Sequence, residues 1–440
     1  SVSPALFVLA SFPKGSGREV RMRVAVVGAG VVGVATAHEL SVQGHAVTVF
    51  ERRGTAAERD SFATGGLVSP GWAAAWSVPE RVLSNPWAAP GAGLRRSTWG
   101  GSAPAGWARR WRQSPAWRSG SPSQAARLAL LRLSQERLDD LTAELGLDHD
   151  RSDGMLVLLR SGQDADKAAA DVAALRQHGQ AVRELSEDQA RALEPALNPE
   201  MPLAAALQFD GTAVGNCREW ALLMRQHAQR LGCRFELNTG VRRIVPVDGR
   251  GVQVVAGDEG GQPFDAVVLC TGRDETGLLQ ALGLALPLAT AWGHTLSAAL
   301  REPLDAPQSA VFDAHHRVSI TRLGQRVRVA GGADLSPTDP GDAKDIVKRL
   351  YQVLMDWFPG AARLGGAQGS VQQWRGAMVM TPDDLPVVGQ SRIPGVWLNT
   401  GHGNAGWAMA SGCARLLAAQ MGGEPSSLDA AHFHPSRLSA

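Results

Sequence analysis

Tyrosine, lysine and cysteine are all scarce in this 440-residue chain. Tyr351 is the single tyrosine, and lysine occurs only at Lys14, Lys167, Lys344 and Lys348. The other basic residues are arginines, which in a chain this rich in Ala and Gly reflects coding bias more than mechanism. A formal net charge of +2 supplies no global field for nucleic acid. The four cysteines, Cys217, Cys233, Cys270 and Cys413, are widely separated and form no C-x-x-C pair. That spacing argues against a disulfide framework or a metal site and fits a reducing cytoplasm. No apolar run reaches the roughly 18 residues that a spanning helix needs, so the chain is not expected to cross a bilayer. The apolar octet Ala5–Phe12 has no basic residue ahead of it and makes a poor signal peptide. Met22 sits directly before the first strand, so residues 1–21 are read as an N-terminal extension.

What is present begins at Arg23. The short apolar run Val24–Val27 reads as a buried parallel strand. Gly28, Gly30 and Gly33 then form G-x-G-x-x-G ahead of an amphipathic helix, and a second strand, Ala46–Phe50, ends at Glu51, 18 residues after Gly33. Gly28 permits the tight turn, Gly30 lets the backbone approach a pyrophosphate, and Gly33 lets helix and strand pack closely. The helix N-terminus receives the phosphate charge, and Glu51 accepts hydrogen bonds from a ribose. A lone G-x-G-x-x-G is weak, but here strand, helix, second strand and acid all fall in place. The acid disfavours a 2′-phosphate, which leaves NAD and FAD.

The length favours two domains. An amphipathic helix is expected over residues 124–146, where Leu128, Leu131, Leu138 and Leu141 recur at helical spacing. A strand Gly154–Leu159, a helix Asp164–His178 and a short helix Glu187–Leu193 follow. The helix Arg218–Leu231 leads into strands Arg234–Asn238, Val241–Val245 and Ala266–Cys270, the last ending in Thr271–Gly272. Residues 287–332 alternate as antiparallel strands, including Val318–Thr321 and Val327–Ala330, and a helix Asp342–Phe358 precedes the final section. The chain is expected to be α/β, a Rossmann-like domain joined to a discontinuous antiparallel-sheet (α+β) domain. It weaves between them: nucleotide-domain segments at 22–95, 195–280 and 372–440, substrate-domain segments at 96–194 and 281–371.

Trp374–Gly389 reads W-R-G-A-M-V-M-T-P-D-D-L-P-V-V-G, and Val396–Gly412 reads V-W-L-N-T-G-H-G-N-A-G-W-A-M-A-S-G. The second segment is a strand, a glycine-rich turn and a helix, which offers a second helix N-terminus to something electron-rich. That suits a flavin, whose N1–C2=O edge becomes anionic on reduction; an ordinary glycine-rich connection would read the same alone. Together with V-V-G-A-G-V-V-G (26–33), S-P-G-W-A-A-A-W (69–76) and I-T-R (320–322), these segments resemble the D-amino-acid oxidase superfamily of flavoproteins. Within it they look most like the bacterial D-amino-acid dehydrogenase small subunits.

The resemblance implies noncovalent FAD, with its pyrophosphate on Gly28, Gly30, Val31, Val32 and Gly33 and its ribose on Glu51 beside Arg52. It sets Ser61, Thr64 and Gly66 in a loop passing the flavin, Val241 at the adenine, and Thr271 and Gly272 after the closing strand. Gly401, His402, Gly403, Asn404 and Gly406 would lie against the isoalloxazine. The implied reaction is oxidative deamination of a D-amino acid or related amine, with electrons passed to quinone or another acceptor other than O2. No metal is implied.

The chain departs from this family at one consequential place. Relatives usually read G-x-R-P-M-T-P-D, and that arginine grips the substrate carboxylate; here Met378 and Val379 stand instead. Arg375 is an odd offset away and turns to the opposite face of an extended segment. Either Arg322 or a histidine such as His294, His315 or His316 now meets the carboxylate, or the substrate is an amine or N-alkyl amino acid without one there. An FAD-carrying electron-transfer subunit of a hetero-oligomer is the alternative from another class, and homo- or hetero-oligomer is left open. Finally, between Ser61 and Gln135 there are seven tryptophans and nine arginines but one acid, Glu80. Such a segment, 72–132, can lie on anionic lipid, which would place a cytoplasmic protein peripherally at the inner face of the cell membrane.

Overall fold

The computed structural model describes residues 21–68, 94–96, 105–114, 121–209, 211–247, 251–258, 260–273, 277–339, 341, 343–365 and 371–438. The proposed extension 1–21, apart from Arg21, lies outside them, as do Trp72, Trp76, Trp87, Trp99 and Trp117.

The run Val24–Val27 does form a buried strand, Arg23–Val27, at the centre of a six-stranded sheet. Its order is Arg234–Glu236, Ala46–Phe50, Arg23–Val27, Ala266–Leu269, Val396–Thr400 and Val387–Gln390. All pairs are parallel except the last, which is antiparallel. Such strands read as continuous apolar runs because both faces are covered. Helices Val31–Val42, Cys217–Arg230 and Gly406–Gly422 share a core on one side. On the other, a three-stranded antiparallel sheet of Val241–Val247, Gly251–Ala256 and Gln262–Phe264 packs against Val27, Phe50 and Leu269.

The helix Pro122–Leu145 is capped by Ser121, whose side chain accepts from Gln124 N–H, and it buries Leu128, Leu131, Leu138 and Leu141. It lies against Gly406–Gly422 at close range: a Cβ on Gly412 would stand 2.7 Å from Ser134 Cβ, and Gly412 N–H donates to Ser134 Oγ. The short helix Glu187–Leu193 begins where Ser186 and Gln189 form a reciprocal capping box.

The second layer is a nine-stranded sheet. Its path runs Val371–Met380, Ala289–Ala299, Arg326–Leu335, Val318–Leu323, Ala310–Asp313, Met155–Leu159, Ala205–Phe209 and Val182–Leu185, with Leu94–Arg96 beside Arg326–Leu335. Two pairs are parallel, Ala310–Asp313 with Met155–Leu159 and Leu94–Arg96 with Ala333–Leu335; the rest are antiparallel. Val318, Ile320, Val327 and Val329 point to one face, where the helix Lys344–Trp357 covers them. The opposite face looks toward the nucleotide sheet.

Three strands fall in the other sheet from the one the expected segments give them. Leu94–Arg96, Ala205–Phe209 and Val371–Met380 all pair in the nine-stranded sheet, although 22–95, 195–280 and 372–440 assign them wholly or mostly to the nucleotide domain. Period-two alternation fixes which face of a strand is buried but not which strand it pairs with. Among the described residues no helix is long and apolar enough to cross a membrane.

Candidate active site

The first glycine turn is shaped by close backbone approach. Gly28 has φ +102°, and a Cβ there would stand 2.7 Å from the Cys270 carbonyl oxygen. A Cβ on Gly33 would fall 1.9 Å from the Gly28 carbonyl oxygen, so only glycine lets the helix start directly on the turn. That helix has Gly30 as its N-cap and no side-chain cap. Val31 N–H donates to Ser61 Oγ at 3.1 Å. Glu51 closes the far side: Oε2 accepts from Ala29 N–H at 2.8 Å and Oε1 from Arg53 N–H at 2.9 Å. Each carboxylate oxygen keeps acceptor capacity for a ribose hydroxyl.

The second turn opens toward the same space. Strand Val396–Thr400 leads into Gly401, His402 and the turn Gly403–Ala405, and the helix Gly406–Gly422 begins without a side-chain cap. Burial lowers the His402 pKa to about 4, so its imidazole is neutral. Its Nε2 lies 3.0 Å from Asn399 Oδ1. Asn399 Nδ2 donates to Thr36 Oγ1 at 3.0 Å, and Thr36 Oγ1 donates to the Val32 carbonyl. In this chain the Asn399 oxygen must accept, so Nε2 carries the proton and Nδ1 is left an acceptor.

Both turns line one cavity of about 400 Å³ between the two sheets. Every expected cofactor residue lines it except Gly33, which lies beneath the turn. Its far wall is the nine-stranded sheet, with Met378 and His294 among the lining residues. The Met378 methyl is 3.1 Å from where a Cβ on Gly293 would stand, so the absence of a side chain at Gly293 makes room for it. His294 is buried beside a bulge, with Nε2 3.3 Å from Asp334 Oδ2. Trp374 also lines the wall and packs on Phe62 with centroids 4.5 Å apart.

Arg322 does not belong to this wall. It shares the parity of Val318 and Ile320, on the helix-covered face, and its Nη1 reaches the Pro303 carbonyl. His315 and His316 are not on a strand but in the turn between Ala310–Asp313 and Val318–Leu323. His315 is exposed and pairs with Asp164, and neither ring lines the cavity. Arg375 leaves the sheet toward Asp339 and the Gly341 carbonyl. The expected lipid-facing surface loses two of its tryptophans: Trp107 and Trp111 are buried and stacked at 5.1 Å, and Trp107 Nε1 donates to the Met380 carbonyl. Its Arg127 is buried too, against Asp384.

Sequence reasoning missed Asp60, Arg273 and Arg317, all on the cavity. Asp60 ties the two layers together, its Oδ1 accepting from Ala377 N–H at 2.7 Å. Arg273 lies over the Trp292 ring, 5.4 Å from its centroid. Asp60 and Arg273 sit in irregular segments with no periodic signal. Arg317 stands directly before a readable strand.

A family model described as FAD dependent oxidoreductase matches residues 23–420. The chain belongs to that family. It is 36% identical over 437 residues to a D-amino acid dehydrogenase of Cereibacter sphaeroides, covering 95% of this chain and 96% of the relative. It is 33% identical over 426 residues to a D-amino acid dehydrogenase of Bradyrhizobium diazoefficiens, covering 93% and 97%. The solved glycine oxidase from Geobacillus kaustophilus has the same fold, with a TM-score of 0.72 at 21% identity over 95% of this chain and 99% of that one. The residues present fit FAD. Two uncapped helix N-termini open on one cavity, as an anionic diphosphate and a reducible flavin edge require.

Proposed function

We propose that this member of the FAD-dependent oxidoreductases oxidatively deaminates a D-amino acid, with the electrons passed to a quinone or another acceptor other than O2. The observation that carries this reading is the pairing of the two helix N-termini with a separate sheet wall holding His294 and Met378 on one cavity. The names of the bacterial relatives support the substrate class. The substrate loses a hydride from its α-carbon and a proton from its amine, and water converts the imino acid to a keto acid and ammonia. Bound FAD supplies the two-electron acceptor. The chain's part is to hold the neutral amine near that acceptor, to exclude water with Trp374 and Met378, and to place the Gly406 helix N-terminus where negative charge accumulates.

The test is anaerobic bleaching of the flavin band near ~450 nm by D-amino acids in the purified holoprotein. Bleaching by D-amino acids is expected; no bleaching by any amine or amino acid would favour an electron-transfer subunit instead. One observation favours a second reading: the uncharged Met378 lines the cavity at the position where the family resemblance implies a carboxylate-binding arginine. Bleaching by amines or N-alkyl amino acids alone would select that reading.

Because burial holds His402 near 4, it contributes no charge change between pH 5 and 9. The pH dependence of bleaching in His402→Asn is therefore expected to keep the wild-type inflection. A lost inflection near 6.5 would show that His402 titrates in the working enzyme.

A further inference from the structure

We propose that Arg317 is the anchor for the substrate's carboxylate, an inference that rests on the reading of this cavity as an amino-acid-oxidising site. Three arginines compete for that role from the sheet side, and geometry removes two. Arg322 is on the helix-covered face and Arg375 is drawn off to Asp339. Arg317 lines the cavity, and among the described residues of the nine-stranded sheet and its turns that do so it is the one fixed cation. Met155, Phe312 and Met378 on the same wall are apolar, and no described carboxylate of that sheet lines it. A carboxylate pressed against such a wall needs a charged, hydrogen-bonding partner, and a guanidinium supplies a planar two-pronged one.

The backbone places Arg317 for this. It closes the turn after Asp313 with φ +56°, in the left-handed region that an arginine seldom adopts. Its carbonyl oxygen stands 2.8 Å from where a Cβ on Gly331 would be, so Gly331 is what lets the turn fold onto the sheet. In register, His294, Gly331 and Val318 lie opposite one another on three neighbouring strands. Side chains of that row share the helix-covered face of Val318, and Arg317, one residue beyond it, turns instead to the cavity.

The test compares three small molecules on the holoprotein: D-leucine, isoamylamine, which lacks its carboxylate, and isocaproate, which lacks its amine and cannot react. Bleaching reports the first two, and calorimetric binding reports isocaproate. Arg317→Met is expected to weaken D-leucine and isocaproate by about 30-fold to several-thousand-fold, the usual range for a lost charge-assisted pair. Isoamylamine bleaching and FAD content should not change. Arg317→Lys, which keeps charge but not the fork, should recover part of the loss and serves if the Met variant fails to fold. Isocaproate binding that survives both substitutions, or that disappears in Arg273→Met or Arg322→Met instead, overturns the assignment. Wild-type protein that binds no isocaproate overturns it as well. Arg317-dependent isocaproate binding without bleaching by any D-amino acid would sustain the anchor and overturn the deamination reading.

Discussion

Gly33→Ala is expected to yield protein that no longer retains FAD and is markedly less stable. The added methyl would sit 1.9 Å from the Gly28 carbonyl oxygen, well inside contact. Neither side can give. Gly28 N–H is bonded to the Phe50 carbonyl, and the opposite side of Gly28 already meets the Cys270 carbonyl. The helix Val31–Val42 cannot retreat because its far side shares a core with helices Cys217–Arg230 and Gly406–Gly422. Overpacking of this kind costs about 1–3 kcal/mol, occasionally more, and any shift that relieves it moves the uncapped N–H groups at the start of the helix, which would hold a bound diphosphate. Gly30→Ala is the comparison. Its methyl would meet only Ser61 Oγ, at 3.4 Å, yet Gly30 lines the cavity. That variant should keep the denaturant midpoint of the FAD-free protein while losing FAD affinity. Flavin content after gel filtration together with urea unfolding distinguishes the two. A Gly33→Ala protein with full FAD and an unchanged midpoint would mean that the turn is not the rigid cradle described.

The legible parts of this molecule were those specified by neighbouring residues. The strand, turn and helix of 23–42, the acid at Glu51 and the capped helices of 122–145 and 187–193 depend on local spacing, caps and glycine. Their positions follow from the sequence within a residue or two. Sheet membership is a long-range property, and there expectation erred at Leu94–Arg96, Ala205–Phe209 and Val371–Met380. Arg322 is instructive because a local signal was present. In Val318–Leu323 the apolar Val318 and Ile320 alternate with Ser319 and Thr321, so parity alone groups Arg322 with the packed face. The polar residues face the other way, with Ser319 on the cavity and Thr321 Oγ1 donating to the Gly65 carbonyl. Arg317 carried no such signal, since its approach to the cavity depends on a left-handed turn residue that is not glycine. The two histidines beside it drew attention by chemistry, but a turn does not alternate its side chains as a strand does.

The second large effect is expected away from the reacting atoms, at Arg127. Its guanidinium, on the helix Pro122–Leu145, meets Asp384 at 3.1 Å with both side chains under 10% exposed, 4% and 8%. Asp384 occupies the T-P-D-D-L-P turn in a left-handed conformation, and its Oδ1 lies 3.6 Å from where a Cβ on Gly403 would stand. The pair therefore links the long helix to the turn Gly403–Ala405 on the cavity. Removing one member of a buried pair strands the other, at a cost of about 3–5 kcal/mol. Arg127→Met should lower the urea midpoint accordingly, and Arg127→Met with Asp384→Asn should recover most of it, because asparagine tolerates the left-handed backbone without charge. The pH dependence gives an independent check. Burial, with Asp383 nearby, raises Asp384 from 3.8 to about 6 even with Arg127 lowering it. The native state therefore binds this proton more tightly than the unfolded chain does. The stability tied to it is fully present below the unfolded value and is lost as pH rises through about 6. Without Arg127 the folded pKa moves higher still, so the loss continues into the neutral range. The Arg127→Met deficit should thus be smaller at pH 5 than at pH 8. An equal deficit at both values would mean that the missing guanidinium matters through its packing on the helix, and that its charge does not hold the Gly403–Ala405 turn.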